Sequence, residues 1–300
     1  MKEHMSHISI LKFNEVKKNI PEFVINKWNK KEFKGFHAGV IVETEKYKYD
    51  LRHKSIEILD VTNWTEDIIG SGQIAKKLLD CLQLKENNLL GDKKGVGEKS
   101  LSYFKLLVSI QKNENLNIIE QIAFDHFYKQ QDNQDTFERY IQFFGKKYSV
   151  LAYLFFLYND KKYLPISTSN FEHAFKALGN NSKLQRQCDW ANYNNYLNVI
   201  KEVKLVIESA YNENINLLDA HSFCWMIGYK NRYVDWLSTN QSGESNGIYQ
   251  ASKINPVNRK QKVEKDINFP DLDQKDSNHD WDQENKRNRL KGLIAEEHVR

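Results

Sequence analysis

The chain has 300 residues, 40% of them hydrophobic and 12% aromatic, with 44 Lys and Arg against 40 Asp and Glu for a net charge of +4. That is enough apolar material for a folded protein with a real core, and it excludes an intrinsically disordered chain. A surplus of four positive charges also excludes nucleic-acid binding driven by bulk charge, so only a local basic patch could carry such a role.

Residues 1–64 carry β-branched and aromatic residues in short, partly alternating runs, "FHAGVIVETEKYKYDL" and "HKSIEILDVTNW". They predict two or three strands forming a small sheet behind a short N-terminal helix. The first residues lack the apolar run of a signal peptide. From residue 65 to 237 the apolar period becomes helical. Stripes run through Ile74, Leu78, Leu79 and Leu82; through Leu101, Phe104, Leu107, Val108 and Ile110; through Ile118, Ile119, Ile122, Ala123 and Phe127; and through Tyr196, Ile200, Val203, Ile207 and Ala210. No period of 20–50 residues signals a solenoid. The predicted fold class is therefore α+β, predominantly α-helical: a small β-containing region ahead of an irregular helical domain.

Between two of those stripes, "GDKKGVGEKS" at residues 91–100 has the glycines of a phosphate loop, but Glu98 separates Gly97 from Lys99. A P-loop needs its Lys directly after the second Gly, so the stretch reads as a loop leading into a helix near Ser100. "VLAYLFFLY" at residues 150–158 is about half the ~20 residues a membrane helix needs and predicts a buried core helix. Next, "YLPISTSNFEHAFKALGNN" holds Ser169 and Glu172 at capping-box spacing, Phe171, Phe175 and Leu178 on one face, and Gly179 as the stop. Lys161 and Lys162 just before it form a weak basic patch near that helix start.

"NLLDAHSFCWMIGYKNRYVDW" packs acid, His, Cys and aromatics together. Asp219 is placed to cap a helix. His221 and Cys224 have the residue types of a nucleophilic pair, but the aromatic surroundings predict an inert thiol. With Cys81 and Cys188 it makes three cysteines without C-x-x-C spacing, as expected of buried thiols in a reducing, cytoplasmic compartment. Downstream, Lys230, Arg232, Tyr233 and Trp236 interleave cations with aromatics, the combination that grips phosphates and stacks on exposed bases. Residues 238–277 are polar and charged and predict a linker; the acidic run from Asp271 to Asp282, which begins in it and passes its end, has Lys275 at a ligand position and no turn Gly, so it is no calcium loop. A terminal helix is expected over residues 278–300.

Two stretches resemble known families. "KKYLPISTSNFEHAFKALG", "CDWANYNNYLNVIKEVKLVIE" and "NLLDAHSFCWMI" together resemble a segment that precedes a nuclease module in bacterial restriction-like and anti-phage defence proteins. The closing "RLKGLIAEEHVR" is similar to the opening helix of the DUF3883 module, with Gly292, Glu296 and Val299 at its G-x-x-x-E-apolar positions. That module is similar to PD-(D/E)xK nucleases, in which an acid on the first helix assists metal binding. The resemblance implies that Glu296 would help a metal site only if the remaining Asp and (D/E)-x-K ligands followed residue 300. The chain itself then has no catalytic centre and no cofactor, and a divalent metal enters only with such a module. The expected function is the nucleic-acid- or partner-recognition part of a defence protein, contacting DNA or RNA or a partner subunit and no membrane. Lys230, Arg232, Tyr233 and Trp236 carry the contacts, with Lys161 and Lys162 secondary. An interaction scaffold and an enzyme with an unrecognised site are the alternatives.

Overall fold

The computed structural model describes residues 8–90, 98–184 and 187–243, all within one unit, Met1–Ile248. The predicted terminal helix, the acidic run, the glycines of residues 91–97 and Glu296 lie outside the described residues. The architecture is α-helical, and the predicted N-terminal β region is not there: among the described residues there is no strand, only an isolated bridge between Phe33 and Gly39. The chain runs α1 (Ile10–Lys27), α2 (Val40–Glu45), α3 (Tyr47–Leu59), α4 (Gln73–Gln83), α5 (Glu98–Lys112), α6 (Leu116–Ala123), a single π turn (Phe124–Tyr128), α7 (Gln134–Phe144), α8 (Tyr148–Tyr158), α9 (Thr168–Ala177), α10 (Trp190–Tyr211), α11 (Leu217–Gly228) and α12 (Arg232–Gly243). None of these helices is long and apolar enough to cross a membrane.

The physical reason for the correction is visible in α3. Its buried positions are Lys48, Leu51, Ser55 and Leu59, a helical stripe in which two members are polar. Ser55 satisfies its hydroxyl on Leu51 O at 2.8 Å and Tyr153 Oη at 3.0 Å. The residues that suggested strand alternation, Ile56 and Ile58, are exposed and half-buried. Packing of α3 against α4 and α8, and of α2 against α11, overrides the local β preference.

The core centres on α8, where every residue from Val150 to Leu157 is buried. Around it Phe137, Phe155, Tyr163, Trp190 and Tyr193 form a continuous aromatic cluster with ring centroids 5.0–6.3 Å apart. The stripes on α4 and α10 are buried as expected, apart from half-buried Ala210. On α5 the deepest apolar residue is Leu106, with Ser102 and Ser109 beside it, and on α6 Ile118 turns outward at 54% exposure.

Two helix starts differ from the capping expected. Ser167, not Ser169, precedes α9; Glu172 instead accepts from Leu184 N at 2.6 Å and ties down the loop beyond the helix. Gly179, in the left-handed region at φ +80°, does end α9. Asn216, not Asp219, caps α11, and Asp219 completes the capping box from the third helical position. At the other end of α11, Gly228 lets that helix lie directly on α9: a Cβ there would sit 1.9 Å from Asn170 O. This contact fixes the direction in which the chain leaves α11.

Candidate nucleic-acid interface

The ends of α1 and α11 meet where α12 begins. On α12, Tyr233 and Trp236 are buried against Phe23 of α1, with centroids 5.2 and 5.6 Å away. Tyr233 Oη accepts from Asn19 Nδ2 at 3.3 Å. These two predicted contact residues are therefore the wedge that holds α12 on α1, facing the core rather than a ligand. Arg232, at the start of α12, donates to Lys27 O at 3.4 Å and so bridges the two helix ends.

The aromatic surface beside Lys230 and Arg232 is made by other residues. Trp28, just after α1, lies 5.4 Å from Trp225 and 6.0 Å from Tyr229, while Trp225 and Tyr229, one helical turn apart, lie 4.7 Å apart. All three rings are half-buried. The Arg232 guanidinium sits 4.7 Å from the Tyr229 ring and 5.8 Å from Trp28, and Lys230 Nζ is 5.1 Å from Tyr229. Lys27, Lys30 and Lys230 are exposed, and neither they nor Arg232 form an ion pair among the described residues. Beside the cluster, Asp235 lines a surface depression together with Asn26, Lys27, Asn29 and Arg232.

The backbone is strained on both sides of this cluster. Asn29 and Lys30 have φ of 54° and 60°, and Lys230 and Asn231 have φ of 50° and 59°. Asn tolerates the left-handed region, but each Lys there costs roughly 1–2 kcal/mol. The chain holds Lys230 in place through its N–H, which donates to Asn170 Oδ1 at 3.0 Å. That bond comes from α9, the helix brought close by Gly228.

Beneath the patch is a buried polar network. Lys48 Nζ bonds the Glu45 carboxylate, His221 Nδ1 at 3.0 Å and Ser222 Oγ at 3.4 Å, and it lies 5.9 Å from the Trp225 ring. The other His221 nitrogen, Nε2, donates to Pro165 O at 2.9 Å, which also accepts from Tyr196 Oη at 2.8 Å. This assigns a neutral imidazole protonated on Nε2. Burial lowers the Lys48 pKa against the opposing pull of Glu45, and burial, then the charge of Lys48, pushes His221 well below its ordinary value. With both ring nitrogens engaged, His221 is no base for Cys224, whose thiol burial pushes far up. A buried thiol held in its protonated form is disfavoured as a nucleophile.

Lys161 and Lys162 follow α8 on a different turn. Lys162 pairs with Asp132 at 2.7 Å and lies over Tyr163, so its charge is partly neutralised, while Lys161 is exposed. Among the described residues no group of His, Cys, Asp and Glu is arranged to hold a metal ion. The sequence singles out Lys230 and Arg232 but not the rings of Trp28, Trp225 and Tyr229 that pack beside them. The available signals were the i, i+4 spacing of Trp225 and Tyr229 and the lysines around Trp28 in "NKWNKK". No family model, characterised protein or solved structure matches the chain.

Proposed function

We propose that the helical unit is the recognition part of a prokaryotic restriction-like or anti-phage defence protein, and that it contacts nucleic acid through Lys27, Lys30, Lys230 and Arg232 around the rings of Trp28, Trp225 and Tyr229. The defence setting rests on the resemblance of residues 163–227. The contact reading rests on one observation: exposed Lys27, Lys30 and Lys230 and half-buried Arg232, none in an ion pair among the described residues, flank a half-buried aromatic cluster where the backbone is held in a strained conformation. Strain of this kind persists where surrounding structure enforces it, and it concentrates at binding sites. The cations favour an anionic polymer over a cationic ligand, for which an aromatic cluster alone would also serve.

Lys230→Gly tests this reading without threatening the fold. Glycine relieves the left-handed strain and keeps the N–H bond to Asn170, so stability should rise by about 1 kcal/mol. Loss of the cation should weaken binding about fivefold, the equivalent of ~1 kcal/mol. The measurement is an electrophoretic shift on DNA and RNA at ~50 and ~200 mM salt, alongside urea unfolding of the same samples. A wild-type protein that shifts neither nucleic acid at either salt would refute the assignment and leave protein docking as the role of this surface.

A further inference from the structure

Granting that recognition reading, we infer that the site takes an unpaired base of a single strand, stacked on the Trp28–Trp225–Tyr229 cluster with its flanking phosphates on the four surrounding cations. Three features of the cluster carry this beyond nucleic-acid binding in general.

First, the three rings pack on one another as a single aromatic patch, tilted by 32–52° with centroids 4.7–6.0 Å apart. In a duplex the bases are already stacked on each other, so such a surface gains nothing from a closed helix. It gains ~1–3 kcal/mol per base from a strand whose bases are splayed out. Second, apart from Trp225 in the last turn of α11, the residues lie at helix ends and in a kinked turn: Trp28 after α1, Tyr229 to Asn231 after α11, and Arg232 at the start of α12. No single helix face carries them all, so the patch does not have the form of a recognition helix inserted into the major groove. Third, Trp28 Nε1 is buried and has no hydrogen-bond partner. A buried donor without an acceptor costs ~1–3 kcal/mol, a cost that a nucleotide oxygen would relieve if side-chain movement on binding opened the ring edge to it.

Arg232 is placed to act as the movable cover. Its guanidinium lies over Tyr229 and Trp28, and its NH1 holds Lys27 O by a long 3.4 Å bond. When a base enters, the guanidinium exchanges an aromatic ring for the base's π face or a phosphate, both of which suit its planar fork. Four cations limit the phosphates neutralised to about four, and on a single strand each contributes roughly 0.7 to the salt slope. The logarithm of affinity should therefore fall against that of salt with a slope near −3.

The test is fluorescence anisotropy with the full chain and three labelled probes of one mixed sequence, about 20 nucleotides long: single-stranded DNA, single-stranded RNA and the DNA duplex. Either single strand, or both, should bind at least tenfold tighter than the duplex, and the arms show which sugar is preferred. Tyr229→Leu keeps apolar volume but removes the π face. It should weaken single-strand binding about tenfold while leaving the salt slope unchanged, whereas Lys230→Gly should reduce the slope by about 0.7. Should Tyr229→Leu prove unstable in urea, Trp28→Leu serves the same purpose from the other helix. Duplex binding equal to or tighter than single-strand binding overturns this inference and leaves nucleic-acid recognition standing, as does a ring variant that binds like wild type. Absence of binding by all three probes overturns both.

Discussion

Replacing Lys48 with Met separates the two roles its buried network can have. The side chain is 2% exposed and bonds a carboxylate, an imidazole and a hydroxyl, all of them buried. Met fills similar space but leaves the Glu45 carboxylate without its cation and His221 Nδ1 without a donor. Breaking one side of a buried ion pair costs about 3–5 kcal/mol, against a total stability of about 5–15 kcal/mol for ordinary domains. At roughly 2–4 °C per kcal/mol for a chain of this size, the melting temperature should drop on the order of 10 °C. The double variant Lys48→Met with Glu45→Leu removes both charges. It should recover most of the loss, with about 1 kcal/mol remaining for the orphaned His221 nitrogen. Urea midpoints with unchanged slope provide the assay. A single variant within about 1 kcal/mol of wild type would show that the charge is not paired as described. A double variant as unstable as the single would show that the penalty comes from lost packing rather than the unpaired carboxylate.

That network also explains why the N-terminal helices were hard to read. A core stripe normally announces itself by apolar residues at helical spacing, but α3 places Lys48 and Ser55 in the stripe and Ile56 and Ile58 off it. What made these positions interior are distant partners that no local window contains, His221 for Lys48, 173 residues away, and Tyr153 for Ser55, 98 residues away. By contrast α8 was legible because every position from Val150 to Leu157 is apolar, and α10 because its stripe is long and nearly uninterrupted. The same division runs through the candidate site. Lys230 and Arg232 stood out as cations among aromatics, yet the aromatics beside them in sequence, Tyr233 and Trp236, point at Phe23. On a helix, residues three and four apart share a face, and here that face is the one α1 covers. The rings that accompany the cations lie one turn earlier, at Trp225 and Tyr229, and some 200 residues away at Trp28. The kink at Lys230 decides which set is outside, and it is enforced by Asn170 and the close approach at Gly228, neither of which local pattern reveals.

Two buried side chains make further predictions. Glu120, fully buried on α6, accepts from Gly70 N at 2.6 Å, Gly72 N at 3.2 Å and Ala75 N at 2.9 Å, and so caps α4 from outside. Glu120→Gln leaves one acceptor oxygen where two serve three amides and should cost about 2–4 kcal/mol in urea unfolding; a loss under ~0.5 kcal/mol would mean the cap does not depend on the carboxylate. His126, in the π turn, is packed among Phe127, Tyr140, Phe155 and Tyr158, and its Nε2 has no hydrogen-bond partner. Burial lowers its pKa from 6.5 to about 3. The unfolded chain therefore binds a proton that the folded protein refuses between those values. The resulting stability is complete above pH 6.5 and is lost as pH falls towards 3, by up to about 1.4 kcal/mol per pH unit. His126→Phe removes this proton and leaves the parallel contribution of His221. Its stability should then fall less than wild type between pH 6.5 and 4, by roughly 3 kcal/mol. At pH 7 the variant gives up only the 3.2 Å bond between Nδ1 and Tyr140 Oη, worth about 1 kcal/mol. Wild type and variant losing stability in parallel across that range would show that His126 takes up its proton without leaving the folded state, and hence that solvent reaches the aromatic cluster around it.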